Sequence, residues 1–151
     1  MSDLLVFWNR SGASEIEIHL RECSARFAVP LENRVKIDEY AEKLSRLSHR
    51  CEVWDGPRLI GLLAVYLNDP ESGVGFVSSV SVCEECAGQG VGRLLIEEGK
   101  KFAAQRGFSK LQLEVHASDH RTVGFYQRCG FVSAGLTVAG FEVMIATTGV
   151  A

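Results

Sequence analysis

A chain of 151 residues, 46% hydrophobic, is long enough to bury a core without disulfide or metal staples. Its net charge of -3, with no basic block and no interleaving of basic and aromatic residues, gives no reason to expect a nucleic-acid partner. No apolar run approaches the roughly 18 residues of a membrane span, the start lacks the pattern of a signal peptide, and five cysteines, an odd number, point to reduced thiols in a cytoplasm.

Leu4 to Trp8 reads as a strand. Ser11 to Ser14 can start a helix, with Ser14 and Glu17 fitting a capping box, and Ile16, Leu20, Cys23 and Phe27 then recur at helical spacing. Past Pro30, a second helix over Ile37 to Leu47 carries Ile37, Tyr40, Ala41, Leu44 and Leu47 on one stripe. Two β segments, Arg50 to Trp54 and Leu59 to Leu67, are joined by the turn residues Asp55, Gly56 and Pro57. Val74 to Val82 is a further strand. A helix follows from Val91 to Gln105, with Val91, Leu94, Leu95, Phe102 and Ala103 inward, and Gly107 stops it. Leu111 to His116 alternates as a strand, with Leu111, Leu113 and Val115 on one face. His120 to Arg128 is a short helix, and Phe131 to Ala134 and Phe141 to Ala146 are closing strands. No linker, repeat or low-complexity tract interrupts this, so residues 1–151 read as one mixed α/β domain.

The segment from Val82 to Leu95 reads VCEECAGQGVGRLL, in which a strand gives way to a glycine-rich loop and then to an amphipathic helix. Gly88, Gly90 and Gly92 let backbone N–H groups approach an anion without Cβ atoms in the way. The unpaired N–H donors and positive dipole end of the helix complete a site for phosphate or pyrophosphate, and Arg93 could add a charge. No G-K-[ST] ends the turn, so it is not a P-loop. Counted from Gly88, the third glycine of a dinucleotide fingerprint would fall on Arg93; counted from Gly90, on Leu95. Cys83 and Cys86 form a C-x-x-C pair in the same loop. A zinc site would want a second Cys or His pair at suitable spacing, and none is evident in the sequence. The two read as ordinary thiols, and no metal is expected.

Downstream, LQLEVHASDHRTVGFYQRCGF from Leu111 to Phe131 lies one helix and a turn away. With both motifs in this order, the chain resembles the GNAT superfamily of acyl-CoA-dependent N-acyltransferases. Gly90 and Gly92 match the two glycines of the family's [RQ]-x-x-G-x-[GA] turn. Leu113, Glu114 and Val115 match its following strand, and Phe125, Tyr126, Gly130 and Phe131 match its terminal string. Two positions depart from the pattern. The Arg or Gln that often contacts the pyrophosphate is Ala87 here, leaving Gln89 or Arg93 to substitute, and the family's Asn is Asp119, which can cap the following helix.

The resemblance implies a single GNAT-like domain, with a mostly antiparallel central sheet that contains one splayed parallel pair and is flanked by helices. It implies acetyl-CoA as co-substrate, held by Val82, Ala87, Gly88, Gln89, Gly90, Val91, Gly92, Arg93, Asp119 and Tyr126. Val82 would offer backbone groups to the pantetheine arm as an added strand does. A primary amine would attack the thioester directly. Tyr126 matches the tyrosine that often protonates the leaving thiolate, and a phenol of pKa about 10 suits that task. Many relatives carry a Glu base on the strand before the turn; here that strand offers Ser78, Ser79 and Ser81, so Glu114 and His116 are the candidates. Leu31, Glu32, Arg34 and Tyr40 are expected around the acceptor, as part of the segment FAVPLENRVKIDEY from Phe27. A small-molecule amine, of amino-sugar or amino-acid type, is the leading acceptor. A protein lysine or N-terminus is the alternative, and a non-catalytic acyl-CoA-binding module is the reading from another class. Relatives that pair through an edge strand suggest a homodimer built on the last strand.

Overall fold

The computed structural model describes residues 4–27 and 29–149, so the ends of the 1–151 unit and Ala28 of the expected acceptor segment lie outside the described residues. Strands β1 (Leu4–Trp8), β2 (His49–Asp55), β3 (Arg58–Tyr66), β4 (Val74–Val82), β5 (Lys110–His116), β6 (Val132–Leu136) and β7 (Phe141–Thr147) form one sheet in the order β1-β2-β3-β4-β5-β7-β6. The helices are α1 (Ala13–Cys23), α2 (Ile37–Leu47), α3 (Val91–Gln105) and α4 (His120–Arg128). Every neighbouring pair is antiparallel except β4 and β5. This is the mixed architecture the sequence implied, with its parallel pair where expected.

β3 is apolar almost throughout because both its faces are covered. Leu62 and Ala64 pack against Ile16, Leu20, Ala41 and Leu44 of α1 and α2. Leu63 and Val65 join Leu95, Ile96 and Ala103 of α3 in a second core. α3 approaches closely because glycines face it. A Cβ built on Gly61 would lie 2.9 Å from Val91 Cγ1, and one on Gly99 of the helix itself would lie 3.2 Å from Leu63.

The parallel pairing is short. Val74, Gly75 and Phe76 align with Lys110, Leu111 and Gln112, and no further register follows. The cause lies on the other side of β4, where the register with β3 slips between Ala64 and Val65 and leaves Ser78 without a partner. Such a bulge bends its strand. The Tyr40 hydroxyl donates to the Ser78 carbonyl (3.1 Å) and also meets the Ser78 hydroxyl, fixing the bend. Beyond it β4 and β5 diverge and a cleft opens.

Several local expectations are corrected. α1 begins one residue before Ser14, and its cap is Gly12, whose N–H donates to Glu15 Oε1 (2.9 Å). Glu17 pairs with Arg21 instead (2.9 Å). Leu94 is exposed on α3, where Ile96 and Gly99 take the inward face. The last strand is not an edge: β7 is paired on both sides, and the edge at this end of the sheet is β6, whose Val132 and Leu136 face solvent. Pairing of two copies through β7 is therefore unavailable. Among the described residues, no helix is long and apolar enough to cross a membrane.

Candidate active site

The cleft between the diverging strands has a volume of about 820 Å³. Of the residues expected to hold the co-substrate, Val82, Ala87, Gly88, Gly90, Val91, Gly92, Arg93, Asp119 and Tyr126 all line it, as do the base candidates Glu114 and His116. At one end stands the start of α3. Gly88 (φ +78°) and Gly90 (φ +82°) are in the left-handed region that favours glycine, with open space where a Cβ would be. Gly92 is glycine for another reason: its Cβ would meet Phe125 Cζ at 3.0 Å, so the residue lets α3 and α4 come together. The amides from Gly88 to Arg93 make none of the turn or cap hydrogen bonds of this region, and no acidic residue stands in the first turn of α3. Free donors at a helix N-terminus constitute an anion site. Arg26, Arg34, Arg93, Arg121 and Arg128 line the cleft against only Glu114 and Asp119, so its charge suits a phosphorylated ligand.

Two contacts at this end bear on those expectations. Gln89 is turned away from the cleft. Its amide donates back to the Glu85 carbonyl (3.3 Å), and it is not among the residues lining the cleft. The Val82 carbonyl is not open either, because the Arg26 guanidinium donates to it. Arg26 is exposed, so an arriving pantetheine amide can displace it at little cost. Arg93 remains at the rim with one guanidinium nitrogen 3.3 Å from the Arg128 carbonyl. Asp119 caps α4 as expected, Oδ1 accepting from the Thr122 amide (3.2 Å).

Tyr126 sits deeper, on α4. Its ring is buried against Phe125 and Phe131, with centroids 5.3 and 5.6 Å away. Its hydroxyl takes part in no hydrogen bond among the described residues, yet it is not a sealed orphan, as the Tyr66 hydroxyl is. Burial, with smaller contributions from Cys129 and Asp119, holds the phenol above its ordinary pKa. The phenol is therefore in its protonated, neutral form at pH 7.

The base candidates differ. The Ser118 amide donates to His116 Nδ1 (3.3 Å), and the Ser118 hydroxyl lies 2.6 Å from the same atom. The neutral ring then carries its proton on Nε2, and its one acceptor nitrogen is already engaged. Glu114 is exposed on the cleft wall, and no ion pair or hydrogen bond occupies its carboxylate among the described residues. Around the acceptor end, Leu31, Arg34 and Tyr40 line the cleft, but Glu32 does not. Its carboxylate accepts from the Ser24 hydroxyl, which lowers its pKa, and so serves to pin the turn after α1. Arg34 lies over the Phe141 ring at 4.6 Å.

A splayed parallel pair, a glycine-lined helix start beside it and a tyrosine within the cleft are the parts of an acyl-CoA-dependent transferase, and the sequence agrees. The chain belongs to the acetyltransferase (GNAT) family, whose sequence pattern matches residues 15–131. The family is one of acetyltransferases that use acetyl-CoA as co-substrate. Over 74 residues, 49% of this chain, the sequence is 34% identical to mycothiol acetyltransferase of Tsukamurella paurometabola, and this match spans only 25% of that protein's length. The fold is that of the ribosomal-protein-S18-alanine N-acetyltransferase of Escherichia coli, with a TM-score of 0.74 at 17% identity over 97% of this chain and 96% of that one. It is also that of the PaiA N-acetyltransferase of Thermoplasma acidophilum in complex with coenzyme A, with a TM-score of 0.69 at 15% identity over 95% and 99% of the two chains.

Proposed function

We propose that this protein transfers the acetyl group of acetyl-CoA to the primary amine of a small molecule that also carries a carboxylate or phosphate. The observation that carries this reading is the cleft itself, with free amides and a surplus of arginines at the α3 end and Tyr126 within. The pyrophosphate would rest on the amides from Gly88 to Arg93, and the pantetheine arm would run between β4 and β5. At the acceptor end, Glu32 is withdrawn onto Ser24 while Arg34 remains on the wall, which favours an anionic group beside the amine. The 34%-identical relative is named for mycothiol, in keeping with a small acceptor.

In this scheme Glu114, directly or through a water, removes a proton from the ammonium. The freed amine forms a C–N bond at the thioester carbonyl as the C–S bond breaks. As the intermediate collapses the nitrogen gives up its second proton to water, Tyr126 protonates the departing thiolate, and a proton from water restores the phenol. Tyr126→Phe tests the last step. Because the hydroxyl makes no protein hydrogen bond, the variant should fold with unchanged stability. Loss of a general acid should lower kcat by about a hundredfold or more. Thiol release from acetyl-CoA, followed with a panel of amino acids, amino sugars and their phosphates, provides the measurement. An unaltered kcat across pH would remove Tyr126 from the chemistry, and turnover with peptide amines alone would replace the small-molecule acceptor with a protein one.

A further inference from the structure

Strand register defines the floor of the cleft at its acceptor end. Residues directly paired across strands point to one face of a sheet, and alternate residues along a strand do the same. Tyr66 pairs with Phe76, Phe76 with Gln112, and His116 with Phe141, so Phe76, Glu114 and Phe141 share a face. It is the face that α1 and α2 cover, because Tyr66 packs into their core while Leu113 and Val115 belong to the core on the other side. The turn between α1 and α2 lies across this floor and brings Phe27, Leu31 and Arg34 to the cleft. The Arg34 guanidinium stands 4.6 Å from the centre of the Phe141 ring.

Two opposite charges face this space without a protein partner. Among the described residues, no hydrogen bond or ion pair occupies the Arg34 guanidinium, and none occupies the Glu114 carboxylate. Register also fixes their spacing. Arg34 lies over Phe141, which is opposite His116, and Glu114 is two residues back along β5, about 7 Å away at the rise of a strand. In an α-amino acid the nitrogen and a carboxylate oxygen are about 2.8 Å apart. A charge-assisted hydrogen bond of about 2.8 Å at each end extends that to about 8 Å. An amino-sugar phosphate sets its charges further bonds apart. What surrounds the two charges is apolar: Phe76 and Phe141 below, Phe27 and Leu31 above. The Tyr40 and Ser78 hydroxyls at this end are engaged with each other. Sugar hydroxyls enclosed here would lose water without gaining partners, which is costly.

Resting on the acetyl transfer proposed above, we infer that the acceptor is a free α-amino acid with an aromatic or branched apolar side chain. Its carboxylate takes the fork of Arg34, its ammonium faces Glu114, and its side chain lies between Phe76 and the turn carrying Phe27 and Leu31. The α-nitrogen takes the acetyl group as the C–S bond of acetyl-CoA breaks. The N-acetyl amino acid and the free thiol leave, and one proton passes to solvent. Arg34 is thus the residue that selects an acid over a neutral amine.

The test is thiol release from saturating acetyl-CoA with phenylalanine, leucine, serine, phenylalaninamide, glucosamine 6-phosphate and a short peptide as acceptors. Phenylalaninamide keeps the shape of phenylalanine and loses only the carboxylate charge. Its α-amine is the less basic and gives up a proton more readily, so a preference for the acid cannot come from the amine. The wild-type kcat/KM for phenylalanine or leucine should exceed those for phenylalaninamide, serine and glucosamine 6-phosphate by about tenfold or more. Arg34→Met keeps an apolar stem over Phe141. It should bring phenylalanine down to the level of phenylalaninamide, while turnover of phenylalaninamide stays within about twofold. Equal use of phenylalanine and its amide by the wild type overturns the inference without recourse to a variant. So does an Arg34→Met loss that falls equally on both. A preference for glucosamine 6-phosphate overturns it and leaves the broader reading of a small anionic amine standing, whereas turnover of the peptide alone removes both.

Discussion

Gly90→Val lowers the affinity for coenzyme A by at least about a hundredfold, as isothermal titration would record it. Gly90 caps α3 at φ +82°, a conformation that a β-branched residue adopts only at a cost of about 1–3 kcal/mol. The valine relieves that strain by rotating the peptides on either side, which turns the Val91 and Gly92 amides away from a common point. Hydrogen bonds to a charged group contribute about 1.5–3 kcal/mol each, so two of them account for the loss. Ala87 offers no side-chain clamp to compensate. Gln89→Ala is the matched comparison. Its amide bonds the Glu85 carbonyl and stays out of the cleft, so affinity should remain within about twofold. A Gln89→Ala loss as large as that of Gly90→Val would show that the side chain, and not the backbone, holds the ligand.

The largest effect on stability belongs to Glu52. Its side chain is fully buried, and it accepts from the Arg10 amide (3.0 Å), the Ser11 amide (3.0 Å) and hydroxyl, the Trp54 indole (3.1 Å) and Arg50 Nε (3.3 Å). Arg50, 4% exposed, also donates to the carbonyls of Leu44, Ser45, Ser48 and Ser11. The pair thus joins β2 to the segment entering α1 and to the end of α2. Glu52→Ala leaves a buried guanidinium without its counter-charge and several donors without an acceptor. The expected loss is about 3–5 kcal/mol in urea unfolding, a large share of the 5–15 kcal/mol typical of a whole domain. Glu52 does not line the cleft, so molecules that remain folded should keep their kcat/KM. A loss below about 1 kcal/mol would mean that water replaces the carboxylate.

What was legible in the sequence was local. The bounds of α2, α3, α4 and β4 follow from periodicity and from glycine and proline punctuation within a few residues, and the structure agrees with them. The glycine turn and the Tyr126 string were legible for the same reason, since each is a contiguous stretch whose residues act on their own neighbours. What was hidden depended on partners far along the chain. Ser11 and Ser14 resemble caps, but Ser11 is drawn to Glu52, 41 residues away, and the helix starts on Gly12. Glu32 looked available to an amine until the turn brought Ser24 to it. The Val82 carbonyl looked open until Arg26 reached it from 56 residues away. The histidine and cysteine of α1 are a visible i, i+4 pair, yet the sequence does not show that Cys83, 64 residues beyond His19, packs beside them.

The most direct test of the account is a crystal structure with coenzyme A bound. The pyrophosphate is expected against the amides of Gly88 to Arg93, the pantetheine arm between β4 and β5 with Arg26 moved off the Val82 carbonyl, and the sulfur within hydrogen-bonding reach of the Tyr126 hydroxyl. A pyrophosphate bound away from the start of α3, or a sulfur out of reach of Tyr126, would contradict that reading.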